Sequence, residues 1–153
     1  MRFDDGMMPR PSGKRGAFTV RERVRWSDVD AAGIMCYGSF LRFFEVAESE
    51  LFRAAGLPHT ALQDAGLWLV RRRVECDFLR PVRLDDVLEI RAWVEAMGGT
   101  SLSLAFEARV VDETEPAARS RYALVAVDRA ELRPLRLPEH IREALRPYQE
   151  DAP

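Results

Sequence analysis

Two acids two residues apart, Asp28 and Asp30, stand in the run Trp26-Ser27-Asp28-Val29-Asp30-Ala31-Ala32-Gly33-Ile34-Met35-Cys36-Tyr37-Gly38. A small-residue turn follows them, and then a strongly apolar helical run opens. An acid held beside a helix N-terminus can attack a carbonyl or hydrate it. The carboxylate supplies a nucleophile or a general base, and the free N–H groups at the helix end receive the oxyanion. Taken alone, Asp30 also reads as a turn carboxylate satisfied by backbone N–H groups. Asp28 reads better as the acid that caps or stabilises the turn, because two ionised carboxylates this close repel. Cys36 is a second potential nucleophile, but no histidine is placed to activate its thiol.

The elements that must position these residues follow from periodicity. Phe18, Val20, Val24 and Trp26 share one parity, as one face of a first strand does. From Ser39 to Ala55 the pattern turns helical, with Phe40, Phe43, Phe44, Ala47, Leu51, Ala54 and Ala55 at steps of three and four. Ser39 is the expected N-cap and Gly56 the expected C′ residue. Glu45 and Glu48, one turn apart on this helix, read as its wet face, although Glu45 sits between aromatic positions. A short helix is expected over Thr60–Ala65. Four strands are expected after it, at about Leu67–Leu79, Val87–Met97, Thr100–Val111 and Arg119–Val127. Trp68, Val70, Val74, Cys76 and Phe78 share one parity in the first of them. Gly98-Gly99 marks a hairpin, Asp112–Pro116 a polar turn, and Pro138 the start of a terminal helix at about Glu139–Arg146. One long helix followed by hairpin-linked strands implies an α+β layer with an antiparallel sheet of about five strands. Such a sheet leaves its edges open, which favours pairing with a second copy.

Composition sets the outer limits. The chain has 153 residues, 47% of them hydrophobic and 31% charged, with a net charge of −2. That suits one domain over residues 17–148 behind a loose tail, residues 1–16, rich in Pro and Gly. Nothing argues for a nucleic-acid partner. The longest apolar runs fall short of the roughly 20 residues that span a bilayer. Two cysteines without a CxxC pattern, and no visible signal peptide, fit a reducing cytoplasm. His59 and His140 are the only histidines, and both lie in polar, Pro-containing segments, so a His/Cys metal cage is not expected.

Val24–Leu57, VRWSDVDAAGIMCYGSFLRFFEVAESELFRAAGL, resembles the signature of the hotdog-fold acyl-CoA thioesterases, in particular the 4-hydroxybenzoyl-CoA thioesterase branch: a strand, then D-x-D-x-x-G, then the long central helix. Val74–Ile90, VECDFLRPVRLDDVLEI, and Gly99-Thr100-Ser101-Leu102 continue the resemblance, which covers about Phe18–Arg146. It implies a hotdog fold, in which the sheet wraps one long central helix, and hydrolysis of an acyl-CoA to the free acid and coenzyme A. Asp30 matches the catalytic carboxylate, acting as nucleophile or as general base. Tyr37 matches the position whose backbone N–H polarises the thioester oxygen. Tyrosine there leans toward an aromatic acyl group, with a short-chain group as the other option. Trp26, though a tryptophan is more often core, is close enough in sequence to line an acyl pocket. Gly33 allows a positive φ or close approach of the acyl chain. Ala32 and Gly38 are further candidate substrate contacts around the turn. Thr100 and Ser101 at the hairpin, and Arg133, are implied contacts farther along. The resemblance implies a homodimer with a continuous sheet or a homotetramer, sites at the dimer interface, and no cofactor beyond the coenzyme A of the substrate. One departure is that Gly98, Gly99 and Thr100 replace basic residues of the aryl-CoA type. Arg71, Arg72 and Arg73 are alternative phosphate ligands by charge.

Two other classes fit parts of the pattern. A hotdog hydratase or dehydratase acts on a carbon–carbon double bond and usually needs a histidine with an acid, which the acidic turn lacks. A non-catalytic acyl-CoA binding module would bind the ester tightly without turnover.

Overall fold

The computed structural model describes residues 16–150. Strands β1 (Phe18–Arg23), β2 (Leu67–Phe78), β3 (Val87–Met97), β4 (Ser101–Val110) and β5 (Ala118–Asp128) form one sheet in the order β1-β3-β4-β5-β2, with every neighbouring pair antiparallel. Alternation dictates this layer. Leu88, Ile90, Ala92 and Val94 of β3, and Leu102, Leu104, Phe106 and Ala108 of β4, are buried on one face. Helix α1 (Tyr37–Ala54) packs onto that face through Phe40, Phe43, Phe44, Ala47, Leu51 and Phe52. Short helices α2 (His59–Asp64) and α3 (Glu139–Leu145) follow α1 and β5. The α+β architecture is thus the expected one. The tail expected over residues 1–16 lies outside the described residues except for Gly16, whose N–H donates to Pro147 O at 2.9 Å.

The ends of α1 show one expectation met and one corrected. Gly56 is at φ +75°, and the bonds Gly56 N–H to Arg53 O and Leu57 N–H to Phe52 O close the helix in a Schellman motif. Ser39 is not the N-cap. Cys36 is, because its own N–H is taken by Asp28 O at 2.8 Å and its backbone stays extended. The helix therefore starts at Tyr37, three residues earlier than an N-cap at Ser39 implies. Strand β1 ends at Arg23, and Trp26 stands 80% exposed in a 3₁₀ turn rather than on the core face.

The parity expected for Leu67–Leu79 breaks in the middle. A bulge at Arg72 shifts the β2–β5 register between Arg71 and Arg73. Val74, Cys76 and Phe78 pair with the inward-facing Tyr122, Ser120 and Ala118, whereas on the other side of the bulge it is Leu67, Leu69 and Arg71 that pair with inward positions. Trp68 and Val70 consequently face outward. The bulge turns Arg71 toward α1, where it pairs with Glu48. Glu48, expected on a wet face, is only 2% exposed. Burial pushes its carboxyl up, against the lowering pull of Arg71. Tyr122, beneath the Arg71 guanidinium, is pushed up to about 12 by burial, with the Glu48 charge adding to it.

On the opposite face of the sheet, cross-strand pairs neutralise one another: Arg21 and Arg109 with Glu89, Arg119 with Glu107, Arg121 with Glu95. Burial alone would raise the Glu89 carboxyl, but Arg21 and Arg109 overcome it and hold it below the usual range. The expected β3–β4 hairpin forms, yet its glycines are not there for a positive φ. A Cβ on Gly98 would lie 2.3 Å from Ser101 Oγ, and the Gly98 and Gly99 carbonyls accept the Arg142 guanidinium.

Candidate active site

The two acids of the turn have opposite surroundings. Asp28 is 3% exposed and fully engaged. It accepts the Arg25 N–H at 2.8 Å, and the Arg42 guanidinium binds both of its oxygens at 2.8 Å. Arg42 belongs to α1, so Asp28 fastens the turn to the helix it precedes, the stabilising role expected for it. Asp30 is exposed. Its Oδ1 accepts the Ala32 N–H at 2.8 Å, and its backbone closes the loop through Gly33 N–H to Asp30 O and Asp30 N–H to Ile34 O. Gly33 sits at φ +76°, which a residue with a Cβ adopts only under strain. Asp30 Oδ2 has no hydrogen-bond donor among the described residues.

The head of α1 is prepared for a negative charge. Cys36 offers no side-chain cap, and no acid stands in the first turn. The N–H groups of Tyr37 and Gly38 have no acceptor among the described residues, so the positive end of the helix dipole faces outward uncompensated. A Cβ built on Gly38 meets nothing within 4 Å, which leaves this end open to close approach.

Asp30 and Tyr37 line one open cleft of about 440 Å³ with Ile34, Met35, Phe40 and Phe78 and with the segment Leu79, Arg80, Pro81 and Val82. Its walls are mostly apolar and partly aromatic. The Tyr37 ring meets Phe78 edge-on at 6.5 Å between centroids, and Phe78 lies 5.4 Å from Phe40. A second cleft of about 450 Å³ shares Asp30 and is lined by Trp26, Val29, Ala31, Gly33 and Leu84. The structure therefore gathers Asp30, Tyr37, Trp26 and Gly33, with Ala32 and Gly38 beside them. An acid and a row of free N–H groups facing one apolar cleft can add water to a carbonyl.

Thr100, Ser101 and Arg133 are not gathered there within one chain. Strand β3 pairs with the β1 end that enters the acidic turn through Val87, and reaches the hairpin at Met97, a span of roughly 30 Å. Arg133 sits beyond β5, where its carbonyl accepts the Asp128 N–H and its guanidinium pairs with Glu131. Arg71 is committed to Glu48 and Arg73 to Glu75, so of that basic run only Arg72 lacks a carboxylate among the described residues. Two features escaped sequence reasoning. Arg42, the partner of Asp28, is fourteen positions away with no local pattern to mark it. Arg80 was legible only as the residue before a proline.

The family description that matches residues 24–145 is that of the thioesterase-like superfamily. The acyl-CoA thioester hydrolase YbgC of Escherichia coli O6:H1 is 33% identical over 120 residues, covering 78% of this chain and 88% of its own. The acyl-CoA thioesterase YbgC of Haemophilus influenzae is 27% identical over 128 residues, 83% of this chain and 93% of its own. Among solved structures, a 1,4-dihydroxy-2-naphthoyl-CoA thioesterase from Synechocystis superposes with a TM-score of 0.79 over 85% of this chain and 96% of its own, at 21% identity, which is a likeness of fold.

Proposed function

The chain belongs to the thioesterase-like superfamily, and we propose that it hydrolyses an aromatic or short-chain acyl-CoA to the free acid and coenzyme A. The observation that carries this reading is the placement, along one apolar cleft, of an incompletely bonded carboxylate at Asp30 and of Tyr37 at the unpaired head of α1. The thioester oxygen is taken by the Tyr37 N–H at the helix end, where negative charge developing on it is stabilised. Asp30 attacks the carbonyl carbon directly or removes a proton from the attacking water. Coenzyme A then leaves as the thiolate and takes a proton that comes from water. After direct attack the acyl group remains on Asp30 as a mixed anhydride, which a water molecule hydrolyses to the free acid and the regenerated carboxylate. No metal or redox cofactor is needed to balance the reaction. Trp26, Ala32, Gly33 and Gly38 border the acyl group. The aromatic wall of Tyr37, Phe40 and Phe78 supports an aromatic acyl group over an aliphatic one.

The working unit in this reading is a dimer or a dimer of dimers. Among the described residues strand β2 pairs only with β5 and leaves its other edge free, with Val70 and Val74 exposed along it. Joining two such edges antiparallel about a two-fold axis brings the Leu67 end of one β2 beside the Phe78 end of the other. Thr100, Ser101 and Arg133 of a second copy then approach the cleft of the first, where they can hold the coenzyme A arm.

Free-thiol release from benzoyl-type, short-chain and long-chain acyl-CoAs tests the reading, with Asp30→Asn alongside. The expected result is turnover that drops by about a hundredfold or more in the variant. Wild-type-like turnover by Asp30→Asn removes Asp30 from the chemistry, and ester binding without turnover favours the non-catalytic module.

A further inference from the structure

Most arginines of this protein already hold a carboxylate, as Arg42 holds Asp28, Arg71 holds Glu48 and Arg121 holds Glu95. Arg80 does not. Its guanidinium makes no hydrogen bond or ion pair among the described residues, and it lines the same cleft as Asp30. Other guanidinia without an acceptor there, those of Arg72, Arg83 and Arg136, are absent from that cleft. The backbone at Arg80 is held in place, while its side chain is exposed. The Leu79 and Arg80 N–H groups both donate to Ala117 O, Pro81 follows, and Val82 O accepts the Met35 N–H at 2.7 Å. Two opposite charges thus line one largely apolar cleft without pairing with each other.

We infer that Arg80 is a specificity-determining residue that selects acyl groups carrying a carboxylate or a similar oxyanion; this rests on the thioesterase reading of the cleft. Tyr37 and Arg80 line the same cleft, so an acyl group held there with its carbonyl at the Tyr37 N–H shares that cleft with the guanidinium. The coenzyme A phosphates lie at the far end of the long pantetheine arm, which must leave the cleft, so an anion met by Arg80 beside Asp30 belongs to the acyl side. The guanidinium fork matches a carboxylate in two parallel bonds. It also offsets the repulsion that an ionised Asp30 exerts on an anionic substrate.

The test compares benzoyl-CoA with 4-carboxybenzoyl-CoA, and butyryl-CoA with succinyl-CoA, in the wild type and in Arg80→Gln. The same acyl groups are also presented as N-acetylcysteamine thioesters, which lack phosphate. Arg80→Gln is expected to lower kcat/KM by about tenfold or more on the carboxylated esters and by less than about threefold on the others, on either thiol. An unchanged ratio between carboxylated and plain esters overturns the inference. So does an equal loss on all coenzyme A esters with none on the N-acetylcysteamine esters, which assigns the guanidinium to a phosphate. Calorimetric binding of terephthalate against benzoate reads the same preference without turnover. If the wild type hydrolyses no ester, the thioesterase reading fails. A terephthalate preference that disappears in Arg80→Gln upholds Arg80 even then, and no preference overturns it.

Discussion

Replacing each acid of the turn by its amide separates holding the fold from doing the chemistry. Asp28 is buried and accepts one backbone N–H and three guanidinium contacts. Breaking a buried ion pair costs roughly 3–5 kcal/mol. Here the Arg42 side chain is 38% exposed, so water screens part of the charge, and an amide oxygen still accepts some of the bonds. About 2 kcal/mol is the expected loss for Asp28→Asn. With a urea slope of about 1–3 kcal/mol per molar, the unfolding midpoint falls by roughly 1 M. Asp30→Asn keeps the acceptor for the Ala32 N–H, so its midpoint moves by less than about 0.5 kcal/mol equivalent. Turnover follows the opposite order, with Asp30→Asn nearly inactive and folded Asp28→Asn retaining most of its rate. Urea unfolding at one fixed protein concentration, so that association is constant, together with thiol release, reads both. A wild-type midpoint for Asp28→Asn, or equal destabilisation by the two variants, would refute the division of labour.

Other predictions concern pH, backbone and assembly. Burial raises the folded-state value of Glu48 above 4.5, so its contribution is fully present below the unfolded value and is lost as pH rises through the folded one. The stability of the wild type relative to Glu48→Gln should therefore decline as pH rises from 4.5, and a flat or rising difference in denaturation curves across that range would contradict it. Glu89 runs the other way: its lowered value supplies stability above 4.5 that is lost as pH falls through the folded value, so Glu89→Gln should approach the wild type in acid. Gly33→Ala should cost about 1–2 kcal/mol in urea unfolding, because φ is +76° there. Gly38→Ala, with open space and a helical backbone, should instead be neutral or stabilising by about 0.5–1 kcal/mol, while reduced turnover in that variant would show that substrate or a second copy approaches the helix end. Sedimentation equilibrium should return two or four chain masses, and a monomer that turns over at full rate would exclude the shared site.

Local periodicity made most of the fold legible. Strands β3 and β4 alternate without interruption in the part that faces α1, and Gly56 ends α1 by backbone conformation alone, so neighbouring residues carry the needed information. The misplaced N-cap came from a bond that spans the turn, Cys36 N–H to Asp28 O, which no window around Ser39 contains. The wet-face reading of Glu48 failed for the same reason, because its partner is on a strand that begins more than ten residues later. Asp30 and Tyr37 could be picked out because a turn and a helix start bring near neighbours together. Arg80 could not, since only the packing of the Leu79–Val82 segment beside the turn makes it part of the cleft.

The bulge at Arg72 also bears on how relatives of this chain diverge. An ordinary strand cannot gain or lose one residue without presenting its wrong side to the core, so such changes are purged. A strand that already carries an unpaired residue has a place where the count can change. Deleting Arg72 would leave Leu67, Leu69 and Arg71 opposite the same partners on β5, so Arg71 would still face α1 and Glu48 would keep its counter-ion. Lineages that dropped the residue would therefore be expected to keep the acid on the helix together with the arginine opposite Leu124. Length at this strand and charge at the helix centre would then be inherited separately, and an alignment that places the gap elsewhere in β2 would misread the buried pair as broken.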